Sequence, residues 1–169
     1  MASKNRDTRE AVSAAEVLRR LAEMELEGVQ FYEGMHRGTR SEWVRRLASV
    51  LIEAEKRHNR RFTEYAERAE QSVNPDDNAL TEPLPPDVHR LFTACVFVSK
   101  QRIRDAAQYA NDVDMIKLAI RAEENLALLL TQLHSYVPRS QRAYIARVMK
   151  EEWGHKEKLE EIMKKHFTR

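Results

Sequence analysis

The 169-residue sequence predicts an all-α fold, an antiparallel four-helix bundle made of two helical hairpins joined by a long crossover that carries an extra helical segment. Three observations predict it. The chain has only 4 Gly and 5 Pro, and its abundant Ala, Leu, Glu, Lys and Arg are good helix formers. Apolar residues recur at helical spacing in four long segments. Four of the five prolines crowd between Pro75 and Pro86, which divides those segments into two pairs with short connections inside each pair. A short connection between long helices makes an antiparallel hairpin.

The first helix is expected from about Arg9 to His36, with Val17, Leu18, Leu21, Val29 and Tyr32 along one stripe and Gly38 as its stop signal. Thr39 followed by Glu42 resembles a capping box that opens the second helix. That helix carries Val44, Leu47, Leu51 and Phe62 inward and continues to about Glu70. The crossover occupies about 71–111, beginning with QSVNPDDNALTEPLPP and continuing into an apolar segment, Val88 to Ala110, read as the extra helix. The third long helix spans about Asp112 to Ser135, with Ile116, Ala119, Leu126, Leu130 and Leu133 inward. Pro138 sits where a helix begins, and Ile145, Val148, Leu159 and Ile162 form the inner stripe of the fourth. Residues 1–8 read as a flexible tail and 9–169 as a single domain, a size that supports a real core.

Composition excludes several classes of function. The 29 basic and 27 acidic residues leave a net charge of +2, interleaved along the helices, so no nucleic-acid partner is expected. Cys95 is the only cysteine; an intramolecular disulfide or a thiolate metal cluster is therefore impossible, and its apolar neighbours suggest an inert buried thiol. The polar stretch Met1 to Glu10 lacks the apolar core of a signal peptide. The longest nearly apolar run, Leu91 to Val98, falls far short of the roughly 20 residues that cross a bilayer. A cytoplasmic protein without a membrane partner is expected, and an exposed Leu91 to Val98 would suit a homodimer contact.

The informative residues are acids on apolar stripes. A buried carboxylate is costly unless something compensates its charge. Glu25 lies on the stripe of Leu18, Leu21, Val29 and Tyr32, and Glu123 on that of Ile116, Ala119, Ala127 and Leu130. Glu55 follows Leu51 by one turn, and Glu152 follows Val148 by one turn. Two of these acids have a histidine three residues on, in Glu55-Lys56-Arg57-His58 and Glu152-Trp153-Gly154-His155. That spacing places both side chains on one helix face, where they can share a metal. The separations match, 30 residues from Glu25 to Glu55 and 29 from Glu123 to Glu152. The halves also look alike elsewhere: RLAEMELEGVQFY resembles KLAIRAEENLALLL, and LASVLIEAEKRHNRRF resembles YIARVMKEEWGHKEKL. Four glutamates then balance two divalent ions, and mixed oxygen and nitrogen donors suit iron, with manganese or zinc as substitutes.

A single Glu-x-x-His pair means little, because 20 Glu and 6 His yield about 0.7 such pairs by chance. A third pair, Glu33-Gly34-Met35-His36, has no second carboxylate helix in register and reads as a decoy. His134 follows Glu123 by 11 residues just as His36 follows Glu25; both are either relics of the repeat or a minor metal site at the bundle end. Glu124 is an alternative to Glu123, although its stripe includes Lys117 and Thr131.

ELEGVQFY (Glu25 to Tyr32), EAEKRH (Glu53 to His58) and EEWGH (Glu151 to His155) resemble the ferritin-like superfamily, and within it the rubrerythrin-like proteins, over about Arg9 to Phe167. The resemblance implies a ferritin-like bundle and a non-haem diiron centre that reacts with hydrogen peroxide or dioxygen. It also implies that Tyr32 is a phenol hydrogen-bonded near the iron ligands; its counterpart in the other half is Leu130. Two departures stand out. Rubrerythrins proper carry a rubredoxin domain with two CxxC motifs, which one cysteine cannot build, so electrons must come from an external donor protein or from ferrous iron itself. They also have an extra glutamate one turn after the helix-three ligand, where this chain has Leu126. The expected function is a diiron oxidoreductase reducing peroxide or dioxygen. The alternative is oxidation, handling or storage of ferrous iron, and a third is a helical module with a structural metal.

Overall fold

The computed structural model describes residues 12–88 and 111–167. Four long helices account for most of them: α1 (Ala14–Gly38), α2 (Glu42–Gln71), α3 (Asp112–Leu133) and α4 (Arg139–His166). No strand occurs among the described residues. α1 packs on α2 and α3 on α4, and α2 touches α4 across the centre, so the two hairpins form one helical bundle.

The helices start where side chains satisfy their free N–H groups. Ser13 and Glu16 form a reciprocal capping box at α1. At α2 the cap differs from the sequence expectation. Ser41, not Thr39, accepts from Val44 N, while Thr39 Oγ1 accepts from Ser41 N. Glu42 turns outward to pair with Arg45 and Arg46 instead of closing a box. Asn111 caps α3. Pro138 is the capping residue of α4, one position before the helix, and supplies no side-chain bond. Gly38 proves to be the last residue of α1, and the extended backbone of Thr39 ends that helix. α3 stops at Leu133, two residues short of the expected Ser135, with His134 as its cap.

Inside the bundle the predicted stripes meet. Val17, Leu18, Leu21, Tyr32, Leu51, Phe62, Ile116, Leu126, Leu130, Ile145, Val148 and Leu159 are all buried in one core, with Leu47 and Ile162 packed at its edge. Burying each large apolar side chain contributes about 1.5–3 kcal/mol. The crossover acts as a strap that fixes one hairpin against the other. Its 3₁₀ turn (Pro75–Asp77) presents Asn78, which accepts from Ala14 N and Ala15 N at the start of α1. On the other side Asp77 O accepts from Gln141 Nε2, and Thr81 pairs with Tyr136 and Ser135 in the α3–α4 connection. Each strap bond leaves fewer helix-end groups unpaired and holds the four inner faces in register. Val88 is buried in the core; the remainder of the expected extra helix, Cys95 and the Leu91 to Val98 contact lie outside the described residues. No helix among those described is long and apolar enough to cross a membrane.

Candidate metal centre

Helical phase brings the six expected residues to one place. Glu25 comes from α1, Glu55 and His58 from α2, Glu123 from α3, and Glu152 and His155 from α4. All six are buried, and the four glutamates are fully enclosed. They form two overlapping groups whose donor atoms lie within 4.8 Å of one another. One comprises Glu25, Glu55, His58 and Glu152, the other Glu55, Glu123, Glu152 and His155. Glu55 and Glu152 belong to both. Each hairpin therefore supplies three donors to its own group and lends one carboxylate to the other.

Both imidazoles aim Nδ1 into the cluster. His58 Nδ1 lies 2.8 Å from Glu152 Oε1 and 3.6 Å from Glu25 Oε2. His155 Nδ1 lies 3.0 Å from Glu152 Oε2, 3.6 Å from Glu55 Oε1 and 3.7 Å from Glu123 Oε2. The rings stack with centroids 5.9 Å apart, and the shared carboxylates lie with them in the bundle core.

The donor set can hold metal ions. Among the described residues, eight buried side-chain polar atoms make no aligned hydrogen bond, and seven of them belong to this cluster. They include both oxygens of Glu25 and of Glu55. An unpartnered buried polar group costs about 1–3 kcal/mol, more when charged, so this concentration of polar atoms in one spot calls for shared protons or bound ions. Two divalent ions would satisfy these atoms and cancel the four carboxylate charges. Oxygen and imidazole donors without sulfur fit a first-row divalent ion.

No family model, curated protein or solved structure matches this chain. The reading of the centre therefore rests on its own geometry and chemistry.

Electrostatics describe how the cluster exists without metal. Burial holds Glu25 and Glu55 well above the usual carboxylate range; the charges of Glu152 and Glu123 add to it, and for Glu25 the hydrogen bond with Glu55 works against it. Burial and the charge of Glu152 push Glu123 up to about 8. For His58, burial opposes the charged ring, but the hydrogen bond and charge of Glu152 outweigh it and raise His58 to about 9. Burial likewise opposes His155, which Glu123 and Glu152 raise to about 10. Glu152 is the exception: burial pushes its pKa up, but both imidazoles pull it well below the ordinary value. Without metal, burial and mutual repulsion thus favour the protonated forms of Glu25, Glu55 and Glu123, the nearby carboxylates favour protonated imidazoles, and the imidazoles favour Glu152 as the shared anion. Metal ions must displace those protons.

Flanking groups orient the donors. Tyr32 donates its hydroxyl to Glu123 Oε1, reaching from α1 to the acid on α3. Burial and the Glu123 charge keep that phenol far above its ordinary pKa, so it serves as a fixed donor. Sequence reasoning missed Glu151. Its Oε2 lies 2.9 Å from His58 Nε2, and its other oxygen accepts from Arg147 Nε at 2.9 Å. A carboxylate behind a metal-facing imidazole sets its tautomer and raises its basicity. The only available signal was the doubled acid in EEWGH, because the partner sits 93 residues away across the α2–α4 contact. The structure also separates Glu123 from Glu124. Glu123 faces the cluster, whereas the Glu124 side chain is 44% exposed and lies 4.0 Å from Lys156 Nζ. Glu33, His36 and His134 belong to neither donor group.

Proposed function

We propose that this chain is a carboxylate-bridged diiron oxidoreductase of the rubrerythrin-like type within a ferritin-like bundle, reducing hydrogen peroxide or dioxygen. The observation that carries the reading is the sharing of Glu55 and Glu152 between two donor groups. A lone structural ion needs no shared acids and no second histidine. Two redox ions held close together would be served by both, since carboxylates common to the two groups would let the metals act as one electronic unit. When bound, the irons would supply Lewis acidity and two electrons, enough to convert hydrogen peroxide and two protons into two waters.

The chain's own residues have separable tasks. Glu55 and Glu152 would be shared by the two ions, with Glu25 and Glu123 each serving one group. His58 and His155 would hold the ions through Nδ1. Tyr32 positions Glu123, and Glu151 positions His58. The surrounding core of Phe62, Leu51, Leu126 and Leu130 excludes water and keeps the electrostatic interactions strong. Manganese or zinc would fit the same donors, but zinc, having no redox chemistry, could not supply the electrons.

A stopped-flow experiment tests this reading. Protein loaded with ferrous iron under anaerobic conditions is mixed with hydrogen peroxide or with dioxygen. The expected result is about one peroxide consumed for each pair of irons oxidised, as two-electron metal-centred reduction requires, with the iron staying on the chain and turning over when a reductant is supplied. Iron that oxidises once and leaves the chain, in a many-subunit assembly by size-exclusion mass, would instead identify iron handling. An external donor protein or ferrous iron itself is proposed as the reductant, and a homodimer as the assembly.

A further inference from the structure

Four arginines stand around one cavity beside His58. The cavity, ≈ 480 Å³, opens where α2 meets α4, and Arg57, Arg60, Arg61 and Arg147 line it together with the acids Glu64 and Glu151. Two of the guanidinium groups are already matched. Arg61 pairs with Glu64 at 2.9 Å, and Arg147 with Glu151 at 2.9 Å. Arg57 instead donates to the backbone oxygen of Glu53, and Arg60 has no ion pair among the described residues. Two cationic charges thus remain without a counter-ion in a concave wall. The back of the cavity is rigid: Tyr65 stacks on Tyr144 at 4.9 Å and 16°, Phe62 packs edge-on against Tyr144, and the Tyr144 hydroxyl donates to His58 O at 3.4 Å.

The arrangement is particular to one half of the chain. By the alignment of the two Glu-x-x-His segments, Arg57, Arg60 and Arg61 correspond to Gly154, Glu157 and Lys158, while Tyr144 and Arg147 correspond to Leu47 and Val50. Bundle solubility does not require this cluster, since the other half does without it. Converging guanidinium groups at like-charge distance repel one another unless an anion sits between them, and planar forks suit oxyanions with two or more charged oxygens. The volume lies within the range of small-molecule sites.

We propose that this cavity binds a small multivalent oxyanion, of the phosphate or polycarboxylate class, held by Arg57 and Arg60 over the Tyr65–Tyr144 stack. The site does not depend on the metal reading, because the two arginines that hold the anion, Arg57 and Arg60, belong to neither donor group.

Calorimetric titration of the metal-free full chain with inorganic phosphate, and separately with citrate, tests it in low-salt chloride buffer. At least one anion should bind with a Kd below about 1 mM. Arg57→Ala with Arg60→Ala should weaken it at least tenfold, as should the milder Arg60→Gln alone to a smaller degree, while Arg46→Ala on the far part of α2 changes nothing. Circular dichroism confirms that each variant folds. Binding weaker than about 10 mM for both anions, or equal affinity in wild type and the double variant, would overturn the proposal. Metal stoichiometry measured on the same samples keeps the two readings apart: anion binding without metal loading removes the proposed function and leaves this site standing.

Discussion

The two hairpins of this protein begin from similar sequences and end as different half-sites. The α1–α2 half, with Glu25, Glu55 and His58, is open on one flank: His58 is backed by Glu151, and beyond it lies an arginine-lined cavity. The α3–α4 half, with Glu123, Glu152 and His155, has its terminal acid held by a buried phenol from the opposite hairpin. At the positions corresponding to Glu151 and Arg57 the two halves place Ala54 and Gly154. The donors themselves were kept in both halves, whereas everything behind them diverged. The six inward groups are tied together, because each donor group includes a carboxylate from the other hairpin. The outer residues answer only to their own side, which leaves one flank free to become polar and approachable.

Breaking the sharing should produce the largest effect. Glu152→Ala removes a donor from both groups and is expected to abolish metal loading at both positions, whereas Glu25→Ala or Glu123→Ala leaves about one ion per chain, as loss of one ligand from one of two groups requires. Metal analysis after anaerobic loading reads the difference. Equal losses in all three variants would mean that the halves do not act as separate groups.

pH separates the metal-free and loaded states next. Three groups, Glu123 at about 8, His58 at about 9 and His155 at about 10, bind protons more tightly in the folded chain than their ordinary values imply. Their contribution to stability is present at low pH and disappears as pH rises through those values. Metal-free protein should therefore lose thermal stability as pH rises from about 4.5, the ordinary value for Glu123, to about 10, the raised value for His155. Depressed Glu152 acts in the opposite sense, its contribution being lost as pH falls below the ordinary carboxylate value. Added divalent metal should raise Tm, and more so at pH 8 than at pH 6, because fewer protons must be displaced. A Tm gain independent of pH would contradict this account of the cluster.

The groups behind the donors offer a finer contrast. Glu151→Gln should weaken metal binding on the His58 side, and Tyr32→Phe on the Glu123 side, each by roughly 10–100-fold. Two-step binding isotherms would show one step moving in each variant. Movement of both steps in either would show that the bridge carries the effect across. The smallest expected change is at Gly154, where an added Cβ meets nothing within 4 Å. Gly154→Ala should stabilise the chain by about 0.5–1 kcal/mol, the ordinary cost of glycine inside a helix. A loss of stability in denaturant unfolding would mean that the space beside His155 is occupied in the working protein.

Much of this was legible in the sequence, and the reasons differ by residue. Helical periodicity was enough to place Glu25, Glu55, Glu123 and Glu152 inward, because an acid in phase with leucines can point nowhere else. It also favoured Glu123 over Glu124, which the structure puts on the flank near Lys156. Most helix ends were read to within two residues, but α1 begins at Ala14, capped by Ser13, and not near Arg9, and the cap of α2 was misassigned. Thr39 and Ser41 are both capping types, and only the backbone at Ser41 decides between them. What periodicity could not supply was the contact between α2 and α4. Glu151 behind His58, Tyr32 reaching Glu123 in particular, and the arginine cavity all depend on how two helices from different hairpins cross. One helix's stripe carries no information about that crossing.

The central claim is that two metal ions share Glu55 and Glu152. Anaerobic loading of wild-type protein with ferrous iron, followed by controlled one-electron oxidation and electron paramagnetic resonance, tests it most directly. Bridged ions predict about two irons per chain and a spectrum from a magnetically coupled pair. One iron per chain, or two that give only the signal of isolated ferric ions, would contradict it.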